Sequence, residues 1–132
     1  VSAGGWIGVD LDGTLAHYEG FQGPDHIGAP IAPMVERVKR WLAEGKTVKV
    51  FTARYHGHGM PLLDGTKEDV VTPIQRWCVE HIGQALEVTN AKDFGMVELW
   101  DDRCVQVVAN EGVPVASCKD RRRKSYRKGA AK

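Results

Sequence analysis

Asp10 and Asp12 stand one residue apart in IGVDLDGTLAH, residues 7–17, at the end of an apolar run and just before Gly13-Thr14. On an extended backbone both carboxylates face one side while Leu11 points back into the core. Two like charges so close are unfavourable unless a cation lies between them. Further polar residues follow other apolar runs: Thr52 in KTVKVFTAR, Lys92 just beyond ALEVTN, and Asp101-Asp102 after MVELW. If these runs are neighbouring strands, all of them meet in one crevice. The chemistry such a set supports is phosphoryl transfer around a hard divalent ion with oxygen ligands, Mg²⁺. One carboxylate attacks phosphorus and the other handles the leaving-group proton. Gly13 lets the backbone pass close to the ligand, and the amides around it can donate to phosphate oxygens. A lone Asp-x-Asp is common by chance; the agreement of several strand ends gives it weight.

The elements needed to hold those residues are readable. Trp6–Asp10 is a short buried strand. Residues 16–33, rich in Gly and Pro, form a long excursion. Pro33 opens a helix on which Val35, Val38, Trp41 and Leu42 recur at helical spacing, with Gly45 as its stop. Val48 and Val50, with Thr52, mark a second strand. The stretch YHGHGMPLLDGTKED reads as a polar loop. His56 and His58 within it, lacking further ligands nearby, read as solvent-exposed. A helix from about Thr72-Pro73 carries Ile74, Trp77, Cys78, His81 and Ile82 to Gly83. Two more strands follow, and CVQVVANEGVPVA fits either a strand with a turn or a helix. Strand–helix alternation predicts an α/β fold: a three-layer, Rossmann-like parallel sheet with helices on both faces. Ligands of such sheets bind outside the carboxyl ends of the strands.

The chain of 132 residues suits one domain, with 42% hydrophobic and 27% charged residues. No apolar run reaches the roughly 18 residues that span a bilayer, and the first residues do not resemble a signal peptide. Three cysteines, odd in number and without a CxxC, suggest neither a disulfide framework nor a zinc site, and a cytoplasmic setting is expected. The net charge of +1 hides an asymmetry. Residues 1–118 hold ten basic and sixteen acidic residues, whereas 119–132 hold eight basic residues and only Asp120. The expected organisation is a domain over 1–118 and a flexible basic tail over 119–132, solvated or suited to nucleic acid.

VDLDGTL resembles the first motif of the haloacid dehalogenase-like (HAD) phosphohydrolases, VFTAR their second, and VELWDDR their fourth, with Lys92 in the place of the third-motif lysine. The resemblance spans roughly residues 6–103 in family order. It implies that Asp10 is a nucleophile forming an aspartyl-phosphate and that Asp12 is the general acid and base, its carbonyl also binding Mg²⁺. Thr52 and Lys92 would hold the phosphoryl group together with Gly13, Thr14, Ala53 and Arg54, and Asp101 and Asp102 would complete the metal site, one of them directly. The gaps between motifs are too short for a separate cap domain, so a capless member is implied. GPDHIGAPIAPMV and DDRCVQVV are also similar to the phosphatase domain of polynucleotide kinase 3′-phosphatases, although no kinase P-loop is present. The expected substrate is a phosphomonoester, either a small molecule or a polynucleotide end. Two alternatives share some of these features: a silent nucleic-acid-binding module on the same fold, and a phosphoacceptor receiver-like domain.

Overall fold

The computed structural model describes residues 4–56, 60–61 and 67–116. His58 and the basic stretch 119–132 lie outside the described residues. The chain divides into two units, Val1–Trp100 and Asp101–Lys132.

In the first unit the order is β1 (Trp6–Val9), α1 (Ala32–Ala43), β2 (Thr47–Phe51), β3 (Met60–Pro61), β4 (Lys67–Glu68), α2 (Val71–His81), β5 (Glu87–Thr89) and β6 (Met96–Trp100). Four strands form a parallel sheet in the order β5-β2-β1-β6. The result is an α/β fold, a parallel sheet flanked by helices, broadly Rossmann-like. β1 is central and buried at all four positions, as an uninterrupted apolar run in a parallel sheet should be. The chain runs outward from β1 to β2 and β5, then returns to the opposite side of β1 as β6. The crevice between β1 and β6 is therefore the point where strand order reverses, the usual ligand position in open α/β sheets.

Alternation sends Ile7 and Val9, with Val48, Val50 and Val88, into one cluster. The buried stripes of both helices, including Val38 and Trp41 of α1 and Ile74, Trp77 and Cys78 of α2, join it. Burial pushes the Cys78 thiol up to about 11, so it behaves as a core side chain. Trp6 and Gly8 point the other way; a methyl at Gly8 would run into the Met96 side chain at 2.8 Å.

The ends of the helices follow local chemistry. Pro33 sits in the first turn of α1, and Gly45 follows its end at φ 85°. α2 begins at Val71, slightly before the Thr72-Pro73 expected from sequence, because the Asp69 carboxylate accepts the N–H groups of Val71 and Thr72 at 2.9 and 3.2 Å. The polar stretch expected to be a plain loop contains the antiparallel pair β3–β4, whose two-residue strands are too short for any periodicity to show. In the second unit, Val107 and Pro114 form an antiparallel bridge around a turn with Asn110 and Gly112 at positive φ. Of the two expected forms of CVQVVANEGVPVA, the turn is the one adopted. Among the described residues no helix is long and apolar enough to cross a membrane.

One bond fixes how β6 is delivered. The Trp6 indole N–H donates to Asp93 Oδ1 at 2.9 Å, and the Gly95 N–H donates to the same oxygen at 2.8 Å. The Trp6 bond first, then the Gly95 amide, holds the Asp93 carboxyl below its usual range. A group depressed in the folded state stabilises fully above its unfolded pKa of about 3.9, and that contribution disappears as pH falls through the folded value. Asp93→Asn is therefore expected to lower the urea midpoint at pH 7 and to reduce its fall below about pH 4. Parallel acid profiles for wild type and variant would contradict this role.

Candidate functional site

The sheet register sets the strand ends level. Val9 pairs with Val50 on one side and Trp100 on the other. The next backbone N–H, that of Asp10, donates to the Trp100 carbonyl at 2.9 Å. Asp10 thus leaves the sheet where β6 ends, and Asp101 and Asp102 are the two residues that follow Trp100 in the chain. On the other side, the Thr52 N–H donates to the Thr89 carbonyl at 3.0 Å, which fixes the end of β2 against β5. Thr52 is 2% exposed, and its hydroxyl accepts the Arg54 N–H at 3.1 Å. Ala53 and Lys92 are exposed, Lys92 three residues beyond β5. In the second unit the Arg103 N–H donates to Asp101 Oδ1 at 2.7 Å and closes a turn.

After Val9 the backbone curls rather than staying extended. The N–H groups of Leu15 and Ala16 donate to the Leu11 carbonyl at 3.0 and 2.9 Å, and Leu11 and Leu15 are fully buried. Gly13, at φ 91°, adopts a conformation that favours glycine. Its N–H donates to the Ala16 carbonyl at 2.8 Å and that of Thr14 to Leu11 at 3.3 Å. Gly13 thereby supplies the turn, with its amide committed inside it. The Thr14 hydroxyl donates to Asp10 Oδ2 at 3.4 Å, a long bond that nevertheless places the hydroxyl beside the carboxylate.

Asp12 has a partner that sequence analysis assigned elsewhere. Arg54, set among the phosphate-binding candidates, donates through Nε to Asp12 Oδ2 at 2.7 Å and through Nη2 to Asp12 Oδ1 at 2.8 Å. The guanidinium also donates to the carbonyls of His26 and Pro24 at 3.0 and 3.4 Å. The arginine side chain is 5% exposed and the aspartate side chain 18%. This is a forked, largely desolvated pair, the geometry at which Arg and Lys are not interchangeable. The only sequence signal for it was spacing: Arg54 lies two residues after Thr52, on the same strand-end turn.

Through Arg54 the excursion after β1 is fastened to the site. The His17 N–H donates to the Ala29 carbonyl at 2.8 Å, the Ile31 N–H to Leu15 at 2.7 Å, and the Trp77 indole to Gly28 at 3.0 Å. At Gly28 a side chain would collide with the His17 carbonyl, so the two arms can close only over a glycine. The fastened segment walls a cavity of about 280 Å³ beside Asp12 and Arg54. The Gly- and Pro-rich composition and length of this excursion were legible in the sequence, but the cavity it walls was not.

No known protein-family model matches the chain, and no curated protein matches it. A solved structure from Bacteroides thetaiotaomicron, described as that of a conserved protein coded by a locus, is similar with a TM-score of 0.52. It is 23% identical over 79% of this chain and 80% of that one, and the likeness extends to the fold alone.

Breaking the Asp12–Arg54 pair leaves a carboxylate in a partly buried place. Arg54→Ala is expected to cost about 3 kcal/mol of stability, and Arg54→Lys, lacking the fork, to recover only part of it. The double variant Asp12→Asn/Arg54→Ala should lose less than the two single losses added together, as measured by urea denaturation. A loss below about 1 kcal/mol for Arg54→Ala would class the pair with exposed ones.

Proposed function

We propose that this chain is a Mg²⁺-dependent phosphomonoester hydrolase working through an aspartyl-phosphate on Asp10. The observation that supports this reading is the place of Asp10 at the end of β1, where strand order reverses, with Asp101 and Asp102 following the neighbouring strand β6 directly in the sequence. These residues offer only oxygen donors, which suits a hard cation of the Mg²⁺ type. Bound there, the ion would offset the repulsion among the carboxylates and between them and the phosphoryl oxygens.

The chain's own groups then divide the work. An oxygen of Asp10 attacks phosphorus while the bond from phosphorus to the leaving oxygen breaks, and Asp12 supplies the proton that the leaving oxygen takes up. A water oxygen next attacks phosphorus, Asp12 takes the water's proton, and the bond to Asp10 breaks, releasing phosphate and restoring the carboxylate. The hydroxyls of Thr14 and Thr52 and the ammonium of Lys92 are assigned to the phosphoryl oxygens. Arg54 acts as a positioning residue, its fork fixing the plane in which Asp12 presents its oxygens. Most of the rate in such a reaction comes from positioning and charge stabilisation.

Wild-type protein is expected to hydrolyse p-nitrophenyl phosphate with many turnovers in Mg²⁺ and to stop in EDTA. Asp10→Asn should fall to background. Asp101→Asn or Asp102→Asn should raise the half-saturating Mg²⁺ concentration by at least about tenfold, a loss that even outer partners of metal sites can produce. A single stoichiometric phosphorylation without turnover, or no reaction at all, would overturn the proposal.

A further inference from the structure

The cavity beside Asp12 narrows the substrate class, an inference that rests on the hydrolase reading above. If Asp12 protonates the leaving oxygen, the group attached to that oxygen must extend into the space that Asp12 lines. That space is walled by the excursion after β1, held in place at Ala29, Gly28 and His26 by the bonds already described.

Two properties of the cavity bear on what fits. The first is size. At about 280 Å³ it falls just below the usual span of small-molecule sites, roughly 300–1,000 Å³. That suits one compact ring or short chain rather than a nucleotide with its neighbours. The second is charge. The charged side chains lining it are Asp12, Glu19 and Arg54, and Arg54 is committed to Asp12 through both of that residue's oxygens. Among the described lining residues Glu19 is left as the formal charge without an arginine or lysine opposite it, so this part of the wall is net negative. A second phosphate on the leaving group, whether of a bisphosphate, a nucleoside polyphosphate or a polynucleotide end, would meet repulsion there, with no lysine and no uncommitted arginine among the described lining residues to receive it. The remaining polar lining comes from His17, Tyr18, Gln22 and His26. Imidazole, phenol and amide groups together with a carboxylate form a mixed set of donors and acceptors. Hydroxyl groups, each able both to donate and to accept, match such a set.

We infer that the leaving group is a compact, uncharged polyol and that the substrate is a monophosphorylated sugar or sugar alcohol. This departs from the polynucleotide end that sequence similarity put beside small molecules.

The test is a panel of kcat/KM values for the full chain in Mg²⁺. It compares hexose and pentose monophosphates and glycerol phosphate with hexose bisphosphates, nucleoside mono- and triphosphates, and 3′- and 5′-phosphorylated oligonucleotides. p-Nitrophenyl phosphate serves as the general probe. The expected result is a preference of about tenfold or more for the sugar monophosphates over the nucleotides, whose nucleoside is too large for the cavity, and over every substrate bearing additional phosphate. Glu19→Lys, which reverses the charge of the wall, should narrow that ratio between hexose monophosphate and bisphosphate. Equal or better turnover of bisphosphates, nucleotides or oligonucleotide ends would overturn the inference while leaving the hydrolase reading intact. Failure to hydrolyse p-nitrophenyl phosphate along with the whole panel would overturn both.

Discussion

The bond from the Asp10 N–H to the Trp100 carbonyl is the constraint on which the other features rest. It is the last rung of the parallel ladder between β1 and β6, and it fixes where each strand gives out. Slip that register by one residue and every side chain changes face. Val9 would leave the core, and Trp100 would no longer end level with it. The register is held from both ends. At its start, Trp6 is tied to Asp93 and Gly95; along its length, Ile7 and Val9 are buried with the stripes of both helices. Trp100 is itself braced, packing edge-on against Trp41 with the Arg37 guanidinium 4.8 Å from its ring centroid. The hydrophobic core and the placement of carboxylates are one problem solved by one set of contacts.

The charge of Asp12 is balanced by a specific bond set. Asp12 has a counterion from within the chain, a forked arginine with little exposure. That arrangement gives the carboxylate a fixed plane and ties it to the excursion that walls the cavity. Asp10, and Asp101 and Asp102 in the second unit, offer oxygen donors of the kind a hard cation takes. The Asp12 fork matches the role proposed for that residue. A proton carrier must be oriented but free of metal at its side chain, whereas a nucleophile beside a phosphate gains from a divalent neighbour that offsets charge on both.

How much of this was legible in the sequence varies with the range of the interaction involved. β1, α1, β2, α2, β5 and β6 were readable because each carries an apolar pattern of its own and a local stop such as Gly45. The strand ends were readable for the same reason: Asp10, Thr52 and Asp101 each follow directly upon an apolar run. What stayed hidden depends on partners far apart in the chain. Arg54 was a candidate for phosphate because nothing local shows that its fork meets a carboxylate 42 positions earlier. Gly13 was expected to offer its amide to a ligand; the curl that commits it to Ala16 depends on Leu11 and Leu15 being buried together. The β3–β4 pair and the Asp69 cap show the other limit, features of two or three residues that carry too little pattern to announce themselves.

The most direct measurement is a crystal structure of the full chain grown with Mg²⁺ and beryllium fluoride. The account expects trifluoroberyllate joined to a carboxylate oxygen of Asp10. It also expects one Mg²⁺ coordinated by Asp10 and by Asp101 or Asp102, with the Thr52 hydroxyl directed at a fluorine. Fluoride and metal absent from these residues at saturating concentrations, or an adduct formed on another side chain, would contradict it.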